Sequence, residues 1–126
     1  MARVLVIDDE PDVVRLILKV LSGRGHAVQT ARDGASALAR VKREPPNVIL
    51  LDSDVPKIDG AEVCRRIKSD PATERIPVVM LTSSYIDIYD IGAEGGPDAF
   101  VVRPFAREVL ANVVDRILFR RTAARA

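Results

Sequence analysis

Acidic and hydroxyl side chains stand directly after three short hydrophobic runs of this 126-residue chain. Asp8 and Asp9 follow the first of these runs, Asp52 follows the second and Thr82 follows the third. If the carboxylates converge, two charges about 5 Å apart repel by roughly 3 kcal/mol at an effective dielectric constant near 20. A small hard cation such as Mg²⁺ relieves that repulsion, and it usually binds one or two carboxylates together with phosphate. The pattern therefore predicts a metal-assisted phosphate site.

A carboxylate in such a site can itself attack phosphorus and form an acyl phosphate. The metal neutralises phosphoryl oxygens, and a hydroxyl or a cationic side chain binds another of them. Asp52, central in the arrangement, is the predicted nucleophile. A plainer interpretation makes Asp8 and Asp9 a turn and helix cap, and Thr82 a β-branched strand end. Because all three strand ends carry an acidic or hydroxyl side chain, we favour the phosphate site over this plainer interpretation.

Strands and helices must alternate to position these residues. Apolar runs bounded by turn signals predict strands at residues 4–7, 26–31, 47–51, 77–81 and 98–102. Helical spacing predicts helices that begin at Pro11, Ala35, Ala61 and Pro104, with Asp33 as a cap. A further helix is expected over 84–97, although glycine and β-branched residues there oppose it. Such alternation predicts a parallel sheet covered on both faces, with ligands at the strands' carboxyl ends.

Composition limits the classes of function. A chain with 48% hydrophobic residues has room for one domain with a core. Its net charge of +1 provides no field that would recruit DNA or an acidic membrane surface. No signal segment or membrane span is predicted, so a cytoplasmic protein is expected. The single cysteine, Cys64, is expected to be a buried structural thiol.

Taken together, the motifs resemble the receiver domains of two-component response regulators over residues 3 to about 119. The resemblance is carried by Asp8-Asp9, Asp52, Asp54, Pro56, Asp59-Gly60, Thr82 and Pro104-Phe105, in that order. It implies a flavodoxin-like, three-layer, doubly wound α/β fold with a five-stranded parallel sheet in the order 2-1-3-4-5 and helices on both faces. We assign 1–119 to the receiver domain and 120–126 to a C-terminal tail or the start of a linker.

The resemblance also implies a metal site for Mg²⁺. Asp9 and Asp52 would supply carboxylates, Asp8 would act through water, and the backbone carbonyl of Asp54 would complete the protein ligands. Asp52 would accept the phosphoryl group. The side chain of Asp54, like that of Ser84, matches a family position that tunes the loss of phosphate.

Three further positions match the part of the family that responds to phosphorylation, and a fourth departs from it. Thr82 would hydrogen-bond a phosphoryl oxygen, and Phe100 matches the aromatic residue whose rotamer follows that movement. Pro104 would carry a cis peptide. The family has Lys where this chain has Arg103, and an arginine is a planar fork rather than a point charge. Arg103 is expected to reach the phosphoryl group or the Asp52 carboxylate, or else to clamp Asp52 permanently.

The implied partners follow from the same resemblance. His26, the only histidine, is expected to be structural, so the phosphohistidine must come from a sensor histidine kinase or a phosphotransfer protein. An output partner or effector domain would receive the signal, or the chain would form a homodimer through the 84–119 face. Residues 85–91, unusually rich in large apolar side chains, predict an altered partner surface there, or packing under a distorted helix. The domain would catalyse its own modification but turn over no separate metabolite.

Two alternatives compete with this interpretation. The Asp52–Val55 sequence resembles the DxDx motif of haloacid-dehalogenase-like phosphatases, but that family has its nucleophile on the first strand and its second acidic pair downstream. The other alternative is a protein with the receiver fold but without phosphorylation of Asp52. In it the chain is a pseudo-receiver that binds proteins without phosphorylation, and its support is Arg103.

Overall fold

The protein is described by a computed structural model that covers residues 2–83 and 96–125, with side chains described as far as residue 120. Three predictions concern residues outside this range. They are the tuning role of Ser84, the surface at 85–91, and all but the last two residues of the helix expected over 84–97. Those last two residues, Gly96 and Pro97, are not helical.

Five parallel strands form one sheet in the order β2-β1-β3-β4-β5, as predicted. They are β1 (Arg3–Ile7), β2 (Ala27–Ala31), β3 (Val48–Asp52), β4 (Val78–Thr82) and β5 (Ala99–Val102). Every residue of β3 and β4 is buried, which explains their continuous apolar sequence. Strand β1 pairs with both β2 and β3, so the order of the chain reverses at β1 and leaves a crevice beyond its carboxyl end.

Helices cover both faces of the sheet. In the described part of the chain they are α1 (Pro11–Gly23), α2 (Gly34–Arg43), α3 (Gly60–Ser69) and α4 (Arg107–Arg125). One core cluster joins α2 and α3 to the sheet, and the other joins α1 and α4 to its opposite face. The predicted cap of α2 is present, because Asp33 accepts a hydrogen bond from the Ser36 backbone N–H. Within the ranges that the structure describes, no helix combines the length and apolar content that a membrane span requires.

The last helix differs from the prediction at its start. Pro104 does not occupy the first helical position, because α4 begins at Arg107. A proline is as suitable for a turn as for a helix start, so the residue type alone did not decide between them. The Arg103–Pro104 peptide bond is cis, as the resemblance implied.

The end of α4 lies beyond the predicted tail boundary. The helix continues to Arg125, although the apolar periodicity stops at Leu118. Alanine and arginine have high intrinsic helix propensity, which supports a helix without a buried stripe. The division of the chain at residue 119 stays a prediction.

Candidate functional site

Asp52 lies at the carboxyl end of β3, between β1 and β4. It is nearly buried, with 4% of its surface exposed. One oxygen, Oδ1, accepts a hydrogen bond of 3.0 Å from the backbone N–H of Asp54, which holds the carboxylate at the start of the following loop. An ionised carboxylate is buried this deeply only where other groups compensate for its lost hydration.

Asp8 and Asp9 come directly after β1, and the structure brings both to Asp52. The three residues offer carboxylate oxygens that all lie within 4.8 Å of one another. Asp8 is buried and its backbone N–H donates to the Ala31 carbonyl, whereas Asp9 is exposed. The plainer interpretation is wrong about the helix cap, because the N-cap of α1 is Glu10. Its turn is present, because Asp8 Oδ1 accepts a hydrogen bond from the Glu10 backbone N–H, but a turn does not account for the convergence on Asp52.

The pKa of Asp52 reflects these surroundings. Burial, together with the neighbouring negative charge of Asp8, raises the pKa of the Asp52 carboxyl to about 6. The hydrogen bond from Asp54 and the positive charge of Arg103 act in the opposite direction. At neutral pH Asp52 is therefore mostly ionised, although burial and the charge of Asp8 destabilise the ionised form. A bound cation would offset that destabilisation.

Gly60, the first residue of α3, allows α3 to pack against the backbone at the end of β3. A Cβ atom at Gly60 would stand 2.6 Å from the Asp52 carbonyl oxygen and 2.7 Å from the Ser53 Cα. The Gly60 N–H also donates to the Ser53 carbonyl. Close approach of α3 to the nucleophile's own backbone thus requires glycine here. The sequence motif contains Gly60, but its steric role was not predicted.

The residues predicted to respond to phosphorylation lie on the neighbouring strands. Thr82, fully buried, ends β4 beside Asp52, and its carbonyl accepts a hydrogen bond of 2.7 Å from the Arg103 N–H. Phe100 lies on β5 opposite Met80 and packs, partly buried, against the core cluster on the α2–α3 face.

Arg103 reaches the site, but its main partner differs from the one predicted. Its Nη2 lies 2.6 Å from Asp8 Oδ2 and 3.4 Å from Asp52 Oδ1, so the direct hydrogen bond is with Asp8. The prediction that Arg103 reaches the Asp52 carboxylate is confirmed by the 3.4 Å ion pair, whereas the hydrogen bond to Asp8 was not predicted. A permanent clamp on Asp52 stays a prediction. The expected partners were the phosphoryl group and Asp52, whereas the fold places Asp8 closer to the same nitrogen.

The donor set at this site fits Mg²⁺. Asp8, Asp9 and Asp52 provide only oxygen atoms, which hard divalent cations prefer, and the described residues place no histidine or cysteine among them. Two of the three carboxylates are buried, so their mutual repulsion is weakly screened. These are the properties that make a carboxylate cluster bind a small divalent cation.

His26 has a structural environment remote from the carboxylates. Its Nε2 lies 3.2 Å from Asp115 Oδ1, a residue of α4. This contact between positions 89 residues apart has no signal in the sequence, where no acid stands near His26. The pair links the end of the α1–β2 loop to α4, in agreement with a structural histidine.

Cys64 is buried on α3, and burial raises the pKa of its thiol to about 11. At pH 8 we expect it to react with a thiol reagent at least roughly 100-fold more slowly than free cysteine, because very little thiolate is present. Labelling with Ellman's reagent, with and without denaturant, measures this difference. Rapid labelling of the native protein would contradict the buried position.

The fold and the carboxylate site together define a class of protein. The chain belongs to the response regulator receiver domain family, whose match covers residues 4–115. Receiver domains of this family are signalling switches, and the phosphatase alternative is thereby rejected.

Individual relatives support the same membership. The chain is 40% identical over 124 residues to the DNA-binding dual master transcriptional regulator RpaA of Synechocystis. The aligned region covers 97% of this chain and 51% of RpaA. It is 43% identical over 104 residues to the response regulator PleD of Caulobacter vibrioides, covering 82% of this chain and 23% of PleD. The chain thus spans about half the length of RpaA and less than a quarter of that of PleD.

Solved structures agree with the fold. The chemotaxis response regulator CheY4 of Vibrio cholerae superposes with a TM-score of 0.86 at 28% sequence identity. The superposition covers 93% of this chain and 98% of that protein. The flavodoxin-like arrangement of five parallel strands is therefore shared along nearly the whole of both chains.

Proposed function

We propose that this chain is a phosphoacceptor domain in which Asp52 takes a phosphoryl group from a phosphohistidine. The donor would be a sensor histidine kinase or a phosphotransfer protein. One observation carries the proposal: a nearly buried Asp52 shares its site with Asp8 and Asp9, whose carboxylate oxygens lie within 4.8 Å of one another and of Asp52.

In the proposed reaction an Asp52 carboxylate oxygen forms the new bond to phosphorus. The bond between phosphorus and the donor's imidazole nitrogen breaks, and its electron pair stays on that nitrogen. Asp8, Asp9, Asp52 and the Asp54 carbonyl would hold Mg²⁺, which would supply positive charge to the phosphoryl oxygens. The Thr82 hydroxyl and the Arg103 guanidinium would bind the remaining oxygens.

Phosphorylation would change the conformation of β4, β5 and α4. Thr82 would move towards the phosphoryl group, and Phe100 and the Arg103–Pro104 segment would follow, shifting the population towards a partner-binding state. The 84–119 face would contact an output partner or effector domain, or a second copy of the chain. We assign no nucleic-acid or membrane contact to this domain.

Phosphorylation can be tested with acetyl phosphate and Mg²⁺, followed by intact mass measurement. Wild type is expected to gain the mass of one phosphoryl group, and Asp52→Asn to gain none, because the nucleophilic oxygen is lost. Asp12→Asn removes an exposed carboxylate on α1 and should behave as wild type. Equal modification of Asp52→Asn would refute Asp52 as the acceptor.

A pseudo-receiver is the second candidate, and the position of Arg103 favours it. The guanidinium already neutralises Asp8 at 2.6 Å, so part of the repulsion among the carboxylates is relieved without metal. In this case wild type would bind no Mg²⁺ and accept no phosphoryl group from acetyl phosphate or from a phosphohistidine donor. Binding to its partner would then be unaffected by Asp52→Asn.

A further inference from the structure

Besides Asp8 and Asp52, Arg103 contacts a third acidic residue, Glu10, that has no role in the proposed reaction. Its Nη1 lies 3.5 Å from Glu10 Oε1, while Nη2 donates to Asp8. The Arg103 side chain is 17% exposed, and its buried Nε–H has no hydrogen-bond partner among the described residues. The two ends of the guanidinium therefore face different carboxylates: Nη1 faces Glu10, and Nη2 faces Asp8 with Asp52 at 3.4 Å.

Glu10 is well placed to hold Arg103 there. It is the N-cap residue of α1, yet its side chain makes no capping hydrogen bond, which leaves the carboxylate available to Arg103. Its backbone N–H donates to Asp8 Oδ1 at 2.9 Å. Both oxygens of Asp8 are thus engaged, Oδ1 by Glu10 and Oδ2 by Arg103.

We propose that Glu10 is a positioning residue that holds Arg103 against Asp8, and that the guanidinium thereby competes with a divalent cation for the Asp8 carboxylate. The inference rests on the proposed function, because the cation concerned is the one held by the phosphoacceptor site. A planar fork can contact Asp8 and Glu10 at the same time, whereas the compact ammonium of a lysine is a single point charge. Metal affinity in this chain is therefore set partly by a residue outside the metal ligands.

Competition between Arg103 and the cation predicts that removing the Glu10 carboxylate strengthens Mg²⁺ binding. Ordinary electrostatics would make the loss of a carboxylate near the site weaken cation binding. If Glu10 acts through Arg103, Glu10→Gln should instead tighten Mg²⁺ binding, because Arg103 is held less firmly on Asp8. Since Glu10 is exposed, we expect a change of roughly 2- to 5-fold in the dissociation constant, the range of an exposed ion pair.

The experiment is an isothermal titration of the full chain with Mg²⁺. Glu10→Gln should tighten binding in wild type and weaken it in an Arg103→Gln background, where no guanidinium is left to position. Glu44→Gln is the matched control, since Glu44 is an exposed partner of Arg3 at the opposite end of β1. The side-chain Nε–H resonance of Arg103 should shift on Mg²⁺ addition in wild type and start from a shifted position in Glu10→Gln.

The outcomes separate this inference from the proposed function. Unchanged or weaker Mg²⁺ binding by Glu10→Gln, with wild type binding normally, would overturn the role of Glu10 and leave the phosphoacceptor proposal standing. Mg²⁺ binding by neither wild type nor any of the variants would overturn both. Tighter binding by Glu10→Gln that disappears or reverses without Arg103 would support the competition.

Discussion

Asp52→Asn is expected to raise the free energy of unfolding by about 1–3 kcal/mol at pH 7.5 in the absence of metal. Burial raises the pKa of Asp52 from 3.8 to about 6, so the folded protein holds this proton more tightly than the unfolded chain. Stability that the protonated carboxyl provides below pH 3.8 is lost as the pH rises through about 6. An asparagine does not titrate and avoids that loss, while its side-chain oxygen can still accept the hydrogen bond from Asp54.

The pH dependence of this difference provides the control. Urea unfolding at several pH values should show the gain of Asp52→Asn disappearing near pH 4 and levelling off above pH 7. The substitution also removes the attraction between Asp52 and Arg103, and if that loss is large the gain in the free energy of unfolding will lie near the lower end of the expected range. Added Mg²⁺ at ten times its dissociation constant should stabilise wild type by about 1.4 kcal/mol and the variant much less. A variant less stable than wild type at pH 7.5 would show that Asp52 is not penalised by its burial.

Gly60→Ala is expected to lower the free energy of unfolding by about 2–3 kcal/mol and to weaken Mg²⁺ binding. The added methyl group would meet two backbone atoms, the Asp52 carbonyl oxygen and the Ser53 Cα, at 2.6 and 2.7 Å. Backbone atoms cannot rotate aside as a flexible side chain can, so α3 and the end of β3 must separate. That movement displaces the nucleophile, and both stability and metal affinity should fall together.

Gly23→Ala is the matched control for this substitution. Gly23 is the last residue of α1, and a Cβ there would meet no atom within 4 Å. This variant should be as stable as wild type or more stable by up to about 1 kcal/mol, because alanine has the higher helix propensity. Chemical denaturation and Mg²⁺ titration of both variants measure the comparison. Wild-type behaviour of Gly60→Ala would mean that the loop adapts without moving Asp52.

Most of the sheet could be predicted from local sequence. Strands β3 and β4 are continuous apolar runs because both of their faces are covered, and such runs are visible without a structure. The order of the strands came from the resemblance to receiver domains, since alternation alone predicts a parallel sheet but not its order. The start of α4 was mispredicted at Pro104, where the same residue type is compatible with a turn.

The site shows the same division between local pattern and long-range contact. Asp8, Asp9 and Asp52 could be placed together because parallel strands end at one edge of the sheet. The contact of Arg103 with Asp52 was also predicted, but its contacts with Asp8 and Glu10 were not, because a long side chain can reach several carboxylates and only their positions in space decide among them. The pairing of His26 with Asp115 likewise depends on how α4 packs.

The sequence by itself determined which residues end the strands, and hence that carboxylates and a hydroxyl would meet at one edge, since strand ends are encoded by local apolar runs. The tertiary structure alone decided that Arg103 would lie on Asp8 beside Glu10, and that α3 would approach Asp52 closely enough to require Gly60. The physical reason is the range of the interactions. Backbone pairing and burial follow short sequence patterns, whereas ion pairs and close packing depend on distances between residues far apart in the chain.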